Sequence, residues 1–424
     1  MKRSKWRKPM SNSQNTDSKN THSPQTQVLH KGYRPELSEG ALQVPIFPTS
    51  SWVFPSAEEG KRAFTHGACK QGDTPLVYSR INHPNIEIVE ERLTVWDNAE
   101  ECALFDSGMT AIKTLLDTFL GAGDKVLYSE PLYGGTTSLL KKHYASKWMI
   151  TLDSFGTAKQ LEQKIEGIRK NKQKLKMIFI ETPANPTLNL VDIAHTVEQA
   201  RKCGALVVVD NTFLGPIFQH PLKLGADIVV YSATKYIGGH SAVVAGACLG
   251  SHELIEKIKT NRASFGGIPD PFTAWLLGIS LETLELRMRQ QAKNAKNIAL
   301  NLSDTFGMDR VYYLGNHLAR KPDQRKIYKK QCVGEGAMIS FNIPQGEEAI
   351  FRFLDALSIF KNAVSLGGTH SLVCHPASTT HLCISEKEQK RAGIQNLVRL
   401  SIGLEDPNDL IADLENAFEV SEIW

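Results

Sequence analysis

From about Asn85 onward, apolar residues recur in two alternating rhythms. NIEIVEERLTVWD sets Ile86, Val89, Leu93 and Trp96 at helical spacing. ECALFDSGMTAIKTLLDTFL runs from a short strand-like piece through Ser107-Gly108 into an apolar-faced helix. Short, nearly unbroken apolar runs follow in DKVLYSEP, LKMIFIETPANPT, GALVVVDNTF, DIVVYSATK and AGACLGS, with helical patterns such as IAHTVEQARKC between them. Strands that are apolar at successive positions, alternating with helices, predict an α/β fold: a mostly parallel sheet covered on both faces.

After residue 286 the rhythm changes. ETLELRMRQQAKNAKNIALNLSDTF reads as a long amphipathic helix. GAMISFNIPQ and NLVRLSIGLE read as strands, and GEEAIFRFLDAL and the closing PNDLIADLENAFEVSEIW as helices. These predict a smaller C-terminal α+β domain over 287–424, behind a large domain over 83–286. Leu318 to Val333, LARKPDQRKIYKKQCV, reads as a solvated loop. Residues 28–82 read as an N-terminal arm, with Leu37 to Phe54 lying extended over something larger. Residues 1–27, basic and then rich in Ser, Asn and Thr, read as a disordered tail.

Composition narrows the classes. At 424 residues the chain is too long for one ordinary core. A net charge of +4, small for this length, gives no strong case for nucleic-acid binding. The absence of a long apolar run predicts no membrane span. The start of the chain lacks the apolar middle of a secretory signal. Seven cysteines, widely spaced and without a CxxC pair, read as reduced thiols in a cytoplasmic protein and support no metal site.

The chemistry gathers where strands end, which is where open parallel sheets bind ligands. LVVV is followed by Asp210, VVYSAT by Lys235, and MIFI by Glu181 and then Asn185. Singly, each reads as a cap or a rim residue. Together they point elsewhere. Lys235 stands among Ser232, Thr234, Gly238 and Gly239, small residues that let backbone N–H groups approach a phosphate. Ser107-Gly108-Met109 opens a helix whose dipole also favours an anion. A phosphate cradle, an amine and a carboxylate at one sheet edge fit pyridoxal 5'-phosphate held as an imine on the lysine.

Several further segments carry a resemblance: VYSRINHPN, SGMTAI, LYGGT, ETPANPT, VVVDNTF, SATKYIGGH, HPASTTH and LVRLSIGLED, in that order. From about Gly32 to the C-terminus the chain resembles the Cys/Met-metabolism family of pyridoxal-phosphate enzymes. That family includes cystathionine γ-synthase, cystathionine lyases, methionine γ-lyase and O-acylhomoserine sulfhydrylases. The resemblance implies the aspartate-aminotransferase-like (type I) fold with a seven-stranded-type sheet, and a homotetramer of two tight dimers. It makes Lys235 the anchoring lysine, with Asp210 on the pyridinium and Tyr133 stacked on the ring as an acid or base. Gly108, Met109, Ser232 and Thr234 would bind phosphate, and Asn185 would sit near the phenolic oxygen. Tyr78 and Arg80 would reach the phosphate of the neighbouring subunit. Arg399 would hold the substrate carboxylate, helped by Ser365.

The family's reactions diverge at a few positions. Enzymes that handle cystathionine commonly carry Glu before the serine of SLGG; here that position is Val364, which suits a methionine-like thioether. Against methionine γ-lyase stand Gly135 in place of a frequent Cys, Arg262-Ala263 in place of a Lys-Asp pair, and NHPN in place of GNPT. The expectation is methionine γ-lyase, acting on a small sulfur amino acid. The alternatives are γ-replacement on an acylated homoserine by a sulfhydrylase or synthase, a cystathionine lyase, and, remotely, a non-catalytic scaffold.

Overall fold

The computed structural model describes residues 22–65, 76–317, 321–382 and 385–423. Most of the expected disordered tail, together with Cys69 and Cys383, therefore lies outside the described residues. The five described cysteines are free thiols.

Seven strands form the main sheet: β1 (Glu101–Phe105), β2 (Lys125–Ser129), β3 (Thr151–Phe155), β4 (Leu175–Glu181), β5 (Leu206–Asp210), β6 (Ile228–Tyr231) and β7 (Gly246–Gly250). Their order is β1-β7-β6-β5-β4-β2-β3. The strands from β3 to β6 run parallel, and β7 lies antiparallel between β6 and β1. The expected mostly parallel sheet is thus present. Its strands are apolar at successive positions because both faces are covered. Met177, Phe179 and Val208 enter one core cluster, and their neighbours Ile178, Ile180, Val207 and Val209 enter another. From β2 the chain turns outward to β3, and from β4 it turns the other way to β5 and β6. The gap between β2 and β4 is therefore a topological switch point, where such sheets open a crevice at their carboxyl ends.

The smaller C-terminal domain is built on a sheet ordered β10-β11-β12-β9-β8. Its strands are β8 (Val311–Tyr312), β9 (Met338–Asn342), β10 (Lys361–Asn362), β11 (Leu372–Cys374) and β12 (Leu397–Ser401). Helices Glu347–Ala356 and Pro407–Val420 cover it, with Phe353 and Phe418 stacked at 4.5 Å between ring centroids.

Two expectations change. The segment read as a solvated loop contains a helix, Pro322–Gln331. Its docking is polar, so no apolar period marks it. Leu190 exchanges hydrogen bonds with the Gln324 amide at 2.6 and 3.0 Å, and Gln331 accepts from the Ile193 backbone and donates to that of Val191. At the other end, Pro24–His30 is helical and buries Val28, so helix begins inside the stretch assigned to the tail.

Candidate active site

The carboxyl ends of β4, β5 and β6 bring the marked residues together. Ser107 caps the helix Gly108–Phe119, its hydroxyl accepting from the Thr110 amide at 3.0 Å. Gly108 lies flat against the loop after β6: a Cβ there would stand 3.0 Å from the Cα of Ser232. The helix start and the hydroxyl cluster are therefore one surface, and only glycine permits the approach. Thr212 joins the same surface to Asp210. Its amide donates to Asp210 Oδ1 at 3.0 Å, its hydroxyl does so at 2.6 Å, and that hydroxyl also accepts from the Ser232 amide at 3.0 Å.

Lys235 follows in a tight turn, its amide donating to the Ser232 carbonyl at 3.1 Å. Its Nζ donates to the Ser365 hydroxyl of the smaller domain at 3.0 Å. Burial, and then the nearby Arg399 charge, lower its pKa from 10.5 to about 8. The glycines that follow serve packing. A Cβ on Gly238 would meet the Ala233 carbonyl at 2.9 Å, and one on Gly239 would overlap the Arg287 guanidinium. The Thr234 hydroxyl is committed to Ala245, donating to its carbonyl at 3.1 Å and accepting from its amide at 2.9 Å.

Arg399, on β12, is buried and faces the same crevice. Its Nη1 donates to Asn185 Oδ1 at 3.0 Å and its Nη2 to the Ser365 carbonyl at 2.9 Å. Its Nε is buried without a protein partner, an orphaned donor beside a cationic fork. Tyr133 follows β2 and is 40% exposed. Its ring lies over Gly135, where a Cβ would come within 2.5 Å of the ring and 3.1 Å of the Met109 sulfur. A side chain at 135 would displace the ring, which gives the Gly135 departure a steric meaning.

Tyr78 and Arg80 sit on the N-terminal arm. Tyr78 bridges to Ser51, and the Arg80 guanidinium lies 5.7 Å from the Tyr78 ring centroid. Arg262 turns inward, donating to Glu90 at 2.5 Å and to the Leu104 carbonyl at 2.6 Å, so it is a buried structural ion pair.

The sequence assigned no role to three neighbours. Thr212 could have been found from its place two residues beyond Asp210. Glu181 was visible as a strand-end acid, but its partners were not. His381 is buried, and burial followed by the Arg399 charge lowers its pKa to about 4, so it faces the guanidinium as a neutral ring. Nothing in HPASTTH alone reveals that.

A phosphorylated aldehyde fits these residues. Lys235 offers an amine whose proton is easily lost, Asp210 a buried carboxylate, and Gly108 a floor where a side chain would intrude. That defines the class as lysine-anchored pyridoxal-phosphate enzymes. Residues 25–419 match the Cys/Met metabolism PLP-dependent enzyme family, and the chain belongs to it. It is 38% identical over 400 residues to L-methionine gamma-lyase of Pseudomonas putida, covering 93% of this chain and 97% of that one. It is 37% identical over 391 residues to O-succinylhomoserine sulfhydrylase of Pseudomonas aeruginosa, covering 92% and 93%. The crystal structure of cystathionine gamma synthase from Xanthomonas oryzae pv. oryzae superposes with a TM-score of 0.82 at 33% identity, over 95% of this chain and 99% of that one. The family uses pyridoxal phosphate, and its relatives are carbon–sulfur lyases and γ-synthases. Among the described residues no helix is long and apolar enough to cross a membrane.

Proposed function

We propose that the chain is a methionine γ-lyase, converting L-methionine and water to 2-oxobutyrate, ammonia and methanethiol. The observation that carries this reading is Val364, 57% exposed beside Ser365, where a substrate bearing a distal ammonium would need a carboxylate. The similarity to the Pseudomonas putida enzyme supports it.

Bound pyridoxal phosphate supplies an electron sink for negative charge developing next to the amino-acid nitrogen. Lys235 would anchor it, Asp210 would pair with its ring nitrogen, and the surface formed by Gly108, Met109 and Ser232 would receive its phosphate, with Thr234, whose amide and hydroxyl both bond Ala245, holding the loop beside it. Asn185 would lie by the phenolic oxygen. The Arg399 fork, with its free Nε edge, holds the substrate carboxylate, and Ser365 steadies the amine. Lys235 Nζ, in the unprotonated form that its lowered pKa makes accessible, would take the Cα proton, hand it on to the bound cofactor, and then be free to take a Cβ proton. The Tyr133 hydroxyl, on the exposed side, donates to the departing thiolate sulfur. Tyr78 and Arg80, carried on the exposed arm, complete a neighbour's phosphate site in a cytoplasmic homotetramer.

A second reading is γ-replacement on an acylated homoserine, favoured by Gly135, which leaves the Tyr133 ring against the backbone where methionine lyases often have Cys. Purified enzyme given L-methionine alone should release 2-oxobutyrate and methanethiol in equal amounts. Turnover only with an O-acylhomoserine plus sulfide would overturn the first reading in favour of the second.

A further inference from the structure

We infer that Glu181 is a positioning residue that ties the two loops of the switch point into one catalytic unit. This rests on the reading of Tyr133 and Asn185 given above. Glu181 ends β4 and is 5% exposed. Its Oε2 accepts from the Tyr133 amide at 2.6 Å, on the loop after β2, and its Oε1 from the Asn185 amide at 2.8 Å, on the loop after β4. Those loops lead toward opposite edges of the sheet. Asn185 in turn accepts from Arg399. One carboxylate thus sets the backbone of the ring-stacking tyrosine, of the residue beside the phenolic oxygen and, through it, the carboxylate fork.

The site for this acid is costly. Glu181 and Asp210 are register partners on adjacent strands. Burial, and then the Asp210 charge, push the Glu181 carboxyl upward. A neutral amide would avoid that cost but cannot do the same work, because a glutamine has one acceptor oxygen and would turn an N–H against the second backbone N–H. Only a carboxyl group, with an oxygen for each backbone N–H, accepts from both loops at once.

Hydrogen exchange on the cofactor-free protein tests the tether without reference to any substrate. In the wild type the Tyr133 and Asn185 amides should exchange far more slowly than neighbouring loop amides. In Glu181→Gln at least one of them should exchange about 10- to 100-fold faster, with Val208 and Val209 of β5 unchanged. After reconstitution the same variant should lose about 10-fold or more in kcat, weaken the induced circular dichroism of the bound cofactor and raise KM several-fold. Glu181→Asp, which keeps the charge but cannot span both amides, should move the same way and serves if Glu181→Gln does not fold. Wild-type amides that exchange like free loop, or acceleration spread evenly through β5, would overturn the inference. Faster exchange with unchanged kinetics and dichroism would instead sink the assignment of Tyr133 and Asn185 to the site.

Discussion

The Lys235 amine is held by Ser365, across the two domains, in a 3.0 Å hydrogen bond to a residue whose own backbone sits at φ 109°. That φ is unfavourable for any residue with a Cβ, so the surrounding structure must hold the serine there. A Cβ on Gly367, two residues on, would meet the Tyr236 amide at 2.7 Å, so the strained turn packs directly on the lysine's loop. Ser365→Ala keeps the strain and loses the acceptor. It should lower kcat/KM about 10-fold, the worth of one hydrogen bond to a charged or developing charge. Steady-state kinetics on methionine at neutral pH check this; an unchanged value would make the bond incidental.

The same amine sets a pH dependence of stability in the cofactor-free protein. Its folded pKa is about 8, against 10.5 when exposed, so folding disfavours the protonated form. Below pH 8 both states are charged and the full penalty applies, at most about 3 kcal/mol. Between pH 8 and 10.5 the folded state has lost its proton and the unfolded state has not, so stability rises with pH. Lys235→Met should therefore raise the urea midpoint of the cofactor-free protein at pH 7, and the gap should narrow by pH 10. A gap that is constant or widens would contradict the buried amine.

Arg399→Lys should act chiefly on KM. Lysine removes two directional bonds, to Asn185 Oδ1 and the Ser365 carbonyl, and replaces a planar fork with a point charge. A rise in KM for methionine of about 10- to 100-fold, with kcat changed less, is expected from the loss of a bidentate clamp. Equal loss in both constants would mean that Arg399 also orients the reacting atoms.

The sheet was legible because β4, β5, β6 and β7 are buried on both faces and carry continuous apolar runs. β3 was not, since TLDSF is an edge strand with only Phe155 buried. The helix Pro322–Gln331 was hidden by its polar docking. Within the site, Asp210 and Lys235 stood out because charge at the end of an apolar run is costly unless it serves chemistry. Glu181 and His381 draw their importance from partners far away in sequence, Tyr133 and Arg399, and no local pattern encodes such a pairing.

Position 364 offers the sharpest test of substrate choice. Val364 is 57% exposed next to Ser365, which touches both Lys235 and Arg399, so a longer side chain there reaches the mouth of the crevice without repacking the core. Methionine ends in a methyl thioether and gains from an apolar wall. Cystathionine ends in a second ammonium and carboxylate, and gains from an acid. Val364→Glu supplies that acid at a half-solvated position, where an ion pair contributes up to about 1 kcal/mol. The ratio of kcat/KM for cystathionine to that for methionine should therefore rise about 5-fold, most of it at low ionic strength. Competition between the two substrates in one vessel, read by methanethiol against cysteine release, measures the ratio directly. If it does not move, residue 364 lies outside the reach of the distal end of the substrate, and the discrimination must be sought around Tyr133 and Gly135.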